Sequence, residues 1–128
     1  MAKYDGKKAV IVDDFATARR FIGLTLKDLG FEFTEITDPN ELLPYLETHG
    51  DQVDLLLLDV NMPEKGGVEL LREVRDSSHN ELPVILMMHH EYESIMEEGQ
   101  ELEMNGHLLK PFDAFTLSKM LEQALPKG

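Results

Sequence analysis

Apolar residues in this chain fall into two patterns: short unbroken runs, and longer stretches where they recur every third or fourth position. The runs are Ala9-Val10-Ile11-Val12 behind Lys8, Leu55-Leu56-Leu57-Leu58 within a strand expected from about Val53 to Asp59, and Pro83 to Met88. Runs this short, bounded by turn residues, suit strands buried on both faces. Glu32–Thr37 has mixed polarity and Gly106-His107-Leu108-Leu109 is short, as edge strands would be. Between the runs, Ala18, Ile22, Leu26 and Leu29 recur at helical spacing and stop at Gly30. Asp38-Pro39 reads as an N-cap and first-turn proline, with Glu41 completing a capping box. Pro44 is expected to kink or weaken the helix that follows, which runs out at Gly50. Val68, Leu71 and Val74 mark a third helix after the Met62–Gly67 loop. A fourth is expected from Glu91 to Met104, with Tyr92, Ile95, Met96 and Leu102 as a narrow stripe that Gly99 interrupts. Asp113 caps a fifth, carrying Leu117, Met120, Leu121 and Leu125 and ended by Pro126.

Strands alternating with helices predict a parallel sheet covered on both sides. The apolar strands one, three and four belong in the centre, and strands two and five at the edges. The order 2-1-3-4-5 satisfies this, giving an α/β, flavodoxin-like three-layer sandwich. Strands one and three are then neighbours at the topological switch point, and ligands bind outside the carboxyl ends of strands there.

Length and composition narrow the picture. At 128 residues the chain is expected to be one domain, residues 1–128, with its core between about 8 and 125. It has no cysteine, which excludes disulfides and thiolate metal sites. Neither a signal-peptide core nor a run of roughly 18 apolar residues is present, so a cytoplasmic protein without membrane contact is expected. The net charge of −13 argues against nucleic-acid partners and admits a basic partner or a bound cation.

The carboxylates then matter by their placement. Asp13-Asp14 ends strand one and Asp59 ends strand three. Three carboxylates in one crevice repel by about 4 kcal/mol per pair at 4 Å in an effective dielectric of 20. Such a cluster holds protons at raised pKa or holds a cation, and oxygen-only ligands suit Mg²⁺. Lys110, at the end of strand five, reaches the same edge of the sheet. An Asp nucleophile with a divalent cation and a Lys can make an acyl phosphate. Taken singly, Asp13-Asp14 also suits helix capping, and Lys110-Pro111 an ordinary turn. Their convergence at three strand ends favours a site.

These residues resemble a known family. Val12-Asp13-Asp14, Leu58-Asp59-Val60-Asn61-Met62-Pro63, Leu82-Pro83-Val84-Ile85 and Lys110-Pro111-Phe112 are similar to the receiver domains of two-component response regulators, over about Lys8 to Leu125. The segment from Asp14 to Phe21 is similar to stand-alone chemotaxis regulators of the CheY type. The resemblance implies that Asp59 accepts a phosphoryl group from a histidine kinase or phosphotransfer domain. It implies that Asp13, Asp14, Asp59 and the backbone carbonyl of Asn61 hold Mg²⁺, that Lys110 binds the phosphoryl group, and that the Lys110–Pro111 bond is cis. It further implies a signalling protein that is not an enzyme, with no output domain. Its output would be binding of a downstream protein through the fourth helix, fifth strand and fifth helix. By the same likeness Arg19 and Arg20 fall in the kinase-docking region; the alternative is that they are only surface charges.

Two positions depart from the family pattern. The Thr or Ser at the end of strand four is Met88 here, and a thioether cannot donate a hydrogen bond. The aromatic switch residue of strand five is His107. His89 is either a hydrogen-bond donor to the phosphoryl group in place of the missing hydroxyl or a solvent-facing loop residue. The acidic run Glu91, Glu93, Glu97, Glu98, Glu101 and Glu103 is a solvated face or a docking face for a basic partner. A pseudo-receiver that binds a partner without phosphorylation is the competing reading. A flavodoxin-type phosphate loop is disfavoured by Asp13-Asp14-Phe15. A haloacid-dehalogenase-type phosphatase is disfavoured by Asn61, which stands where a second Asp is needed.

Overall fold

The four leucines of the central run have no outward face. Leu55 to Leu58 are all fully buried in β3 (Leu55–Asp59), because helices cover both sides of the strand. Fully burying one such side chain contributes about 1.5–3 kcal/mol, so this strand alone anchors much of the core. In the computed structural model, which describes residues 2–125, β1 (Lys8–Val12) and β4 (Val84–Met88) flank β3. β2 (Glu32–Ile36) and β5 (Gly106–Leu109) form the edges. All pairings are parallel and the order is β2-β1-β3-β4-β5, as the polarity of the runs predicts.

The period-2 alternation of the strands splits the core in two. Val10, Val12, Leu56, Leu58, Val84, Leu86 and Met88 face one side, with α2 (Leu42–His49), α3 (Gly67–Arg75) and α4 (Glu93–Glu101). Ala9, Ile11, Leu55, Leu57, Ile85, Met87 and Leu108 face the other, with α1 (Ala16–Asp28) and α5 (Ala114–Ala124). This is the three-layer sandwich.

The structure corrects the element ends. β2, β3 and β4 are one or two residues shorter than the apolar runs suggest. The Asp38 carboxylate caps Asn40 N–H at 3.0 Å, and Pro39–Glu41 forms a 3-10 turn, so no capping box with Glu41 forms. α2 begins after that turn. Pro44 therefore lies in its first turn, where the missing N–H has no intrahelical partner to lose, and α2 continues through it to His49. α4 is shorter than expected and ends before Glu103, which takes a left-handed φ of 58°. Gly99 does not interrupt α4 but is buried within it. A Cβ there would lie 2.6 Å from Met104 Sδ, so the glycine admits that side chain. Pro126, expected to end α5, lies outside the described residues. Among the described residues, no helix is long and apolar enough to cross a membrane.

Candidate acidic phosphoacceptor site

Parallel strands deliver their carboxyl ends to one edge of the sheet. Asp13 follows β1, Asp59 is the last residue of β3, and Lys110 follows β5. The sequence-predicted residues thus meet. One carboxylate oxygen from each of Asp13, Asp14 and Asp59 lies within 4.8 Å of the others. Asp13 and Asp59 are buried, at 0% and 2% exposure, while Asp14 is open to solvent. Lys110 Nζ donates to Asp13 Oδ2 at 2.5 Å and stands 3.6 Å from Asp59 Oδ2. The Lys110–Pro111 bond is cis, as expected.

Local turns hold these groups. Asp13 Oδ1 accepts Phe15 N–H at 2.8 Å, so Asp13 does serve the turn into α1, but with one oxygen only. Asp59 Oδ1 accepts Asn61 N–H at 3.0 Å. Burial is the main cause that raises the Asp59 pKa above its ordinary value, and the Asp13 charge adds to it. The Asn61 N–H and Lys110 act in the opposite direction. Asp59 Oδ2 takes no N–H bond from its own turn and faces the Lys110 ammonium.

The donor set fits a hard divalent cation. It is all oxygen, anionic, and open on the Asp14 side, where a metal could keep several waters. Asn61, the fourth expected contributor, sits in the turn directly after Asp59.

The remaining predicted residues are placed as follows. Met88 is fully buried in the core on the α2–α4 side. His107 is half-buried, with Nε2 3.6 Å from Glu91 Oε1. The side chain of His89 is exposed. It lines an apolar cavity of about 420 Å³ with Phe15, Phe21, Lys110 and Phe112, and its backbone N–H donates to Asn61 Oδ1 at 3.2 Å. Arg19 is not a free surface charge. Its guanidinium donates to Asp13 O at 2.7 Å and to Glu35 at 3.3 Å, bracing the end of β1. Arg20 is exposed.

Sequence reasoning missed two supports. One is Arg19 in that bracing role, for which helical spacing offers no signal. The other is the pair Gly66-Gly67. A Cβ on Gly66 would lie 2.4 Å from Val60 O, and one on Gly67 3.0 Å from Asp59 O, so two glycines let α3 start against the end of β3. Two adjacent glycines after a proline-containing loop were the available signal.

A doubly wound sheet with paired acids at the end of β1, an acid at the end of β3 and a lysine after β5 is the arrangement of a receiver-type signalling domain. Residues 9–122 match the response regulator receiver domain family, and the chain belongs to it. It is 40% identical over 118 residues to the chemotaxis protein CheY of Pseudomonas aeruginosa, covering 91% of this chain and 94% of that protein. It is 37% identical to CheY-3 of Vibrio cholerae, covering 91% and 89%. Among solved structures, CheY4 of Vibrio cholerae superimposes with a TM-score of 0.85 at 31% identity, covering 93% of this chain and 98% of that one.

Proposed function

We propose that the chain is a CheY-like receiver that takes a phosphoryl group on Asp59 from a phosphohistidine donor, with Mg²⁺, and signals by binding a protein partner. The observation that carries this reading is the convergence of Asp13, Asp14 and Asp59 with Lys110 at one sheet edge. An Asp59 carboxylate oxygen attacks phosphorus, the P–N bond to the donor imidazole breaks, and its electron pair leaves with that ring. Lys110 pairs with the incoming phosphoryl oxygens from its place between Asp13 and Asp59. Asp13, Asp14, Asp59 and the Asn61 carbonyl would hold the Mg²⁺, whose charge offsets that of the carboxylates and the transferring group. The exposed acidic residues of α4 give the output face a preference for a basic partner.

Phosphotransfer from a phosphorylated histidine domain tests this. Transfer is expected with Mg²⁺, with loss in EDTA and in Asp59→Asn. Equal transfer to Asp59→Asn would overturn it. Met88 favours a second reading, a partner-binding module indifferent to phosphate, since that side chain fills the core and offers no donor. Under that reading the phosphorylated and unphosphorylated chains bind the partner equally.

A further inference from the structure

The phosphoacceptor loop and the β4–α4 loop are joined by a side chain. Asn61 donates its backbone N–H to Asp59 Oδ1 at 3.0 Å, and its side-chain Oδ1 accepts His89 N–H at 3.2 Å. The atom facing His89 is the amide oxygen, because a backbone N–H can only donate. His89 directly follows Met88, the last residue of β4. Two residues on, the Glu91 carboxylate lies 3.6 Å from His107 Nε2 on β5. A continuous path thus runs from Asp59 through Asn61, His89 and Glu91 to His107. It makes no use of the side chain at position 88, which is buried in the core.

The two ends of α4 are held unequally. Beyond its C-terminal end, the Arg75 guanidinium donates to Leu102 O at 2.8 Å, Glu103 O at 2.9 Å and Asn105 Oδ1 at 3.2 Å. The same guanidinium reaches Leu82 O at 2.8 Å, tying that end to the approach of β4. At the N-terminal end, Tyr92 supplies no side-chain cap. The C-terminal end of α4 is thus tied down by a guanidinium, while the N-terminal end, close to His89, has no side-chain cap.

We propose that the Asn61 side chain is the coupling group that carries the state of Asp59 to the β4–α4 loop, in place of a hydroxyl at position 88. The proposal rests on the phosphoreceiver reading above. Phosphorylation of Asp59 turns its carboxylate into an uncharged mixed-anhydride carbonyl and places a phosphoryl group of roughly −1.5 to −2 charge beside it. The acceptor that orients the Asn61 N–H changes, so the turn carrying Asn61 shifts, and its Oδ1 takes His89 N–H with it or lets it go. Both the site and the loop then bias the same two-position element, which is the physical requirement for coupling.

The test is a two-dimensional amide NMR titration of the full chain with saturating Mg²⁺ and beryllofluoride, an acyl-phosphate mimic. Wild type is compared with Asn61→Ala, which removes the acceptor, and Asn61→Asp, which keeps one. Both variants retain the backbone carbonyl of residue 61. In wild type, shifts are expected at Asp14 and Asp59 and onward at His89, Glu91 and His107. In Asn61→Ala, shifts at His89, Glu91 and His107 are expected to fall away relative to those at Asp14 and Asp59, and Asn61→Asp is expected to restore the ratio. Unchanged shifts at His89 and His107 in Asn61→Ala overturn the coupling. So does a wild-type protein whose site responds while the loop stays still. If nothing near Asp14 and Asp59 moves in wild type, the phosphoreceiver reading fails and the coupling with it.

Discussion

Asp59 is buried, carries its nearest like charge on Asp13, and is opposed by one amide and one ammonium. Because its pKa is raised on folding, the native state binds that proton more tightly than the unfolded chain. The stability so contributed is fully present below the ordinary value of 3.8 and is lost as pH rises through the higher native value. Asp59→Asn removes the ionisation and keeps an acceptor for Asn61 N–H. In EDTA at neutral pH its Tm is expected to rise by roughly 2–8 °C, for a change on the order of 1 kcal/mol. That gain should vanish in acid, which a pH series of thermal melts would read. Adding Mg²⁺ should reverse the ranking, since a cation at about 100 times its Kd stabilises wild type by about 2.7 kcal/mol and finds an incomplete site in the variant. Lys110→Ala strips the buried Asp13 of its ion-pair partner. Removing one partner of a buried pair costs about 3–5 kcal/mol. Denaturant unfolding should show a loss of that size in EDTA and a smaller one in Mg²⁺, because the cation takes over part of the neutralisation. An equal loss in both would argue against a cation among these carboxylates.

At the scale of elements, the glycines separate close approach from tolerance. Gly66→Ala puts a methyl 2.4 Å from the Val60 carbonyl, which is backbone at the end of β3 and cannot easily give way. A cost of about 1–3 kcal/mol is expected, together with weaker Mg²⁺ binding as the turn after Asp59 shifts. Gly99→Ala crowds the flexible end of Met104, whose Sδ lies 2.6 Å away, and touches Leu86 Cδ1 at an ordinary 3.4 Å. Its cost is expected to stay below about 1 kcal/mol, offset in part by better helix propensity. Met88→Thr would create a cavity and bury a hydroxyl in the α2–α4 core, so a loss of about 2–4 kcal/mol is expected even though a donor is gained. The strand order was legible because burial on two faces writes unbroken apolar runs, and Leu55–Leu58 and Val84–Met88 carry that signature. The meeting of Asp13, Asp59 and Lys110 followed from it, since parallel strands align their carboxyl ends. The misread features were local. Pro44 reads as a breaker in the sequence because the preceding 3-10 turn, which moves it into the first turn of α2, leaves no periodic mark. Gly99 reads as an interruption in the sequence because its reason, Met104, lies across the turn that ends α4. The bracing role of Arg19 leaves no mark in the sequence, because its partners, Asp13 O just after β1 and Glu35 on β2, are distant from the helical pattern of α1.

For the whole molecule, the net charge of −13 is concentrated where output would occur. Along α4 and its flanks, Glu91, Glu93, Glu97, Glu101 and Glu103 are exposed; Glu98 pairs with Arg72 at 2.9 Å, and Glu91 stands 3.6 Å from His107 Nε2. Exposed charges are screened beyond about 8 Å at physiological ionic strength. Binding of a basic partner through this face should therefore weaken steeply between low and high salt, with most of the change in the association rate. Salt-independent binding would mark the run as a solvated surface. All of this depends on Asp59 taking the phosphoryl group. The most direct measurement is to phosphorylate the full chain with a small phosphodonor, with Mg²⁺ or with EDTA, reduce the acyl phosphate with borohydride and locate the product by peptide sequencing. The expected result is homoserine at position 59, in the Mg²⁺ sample only. Label at another residue, or no label with Mg²⁺ present, would contradict the assignment of this acidic cluster as a phosphoacceptor site.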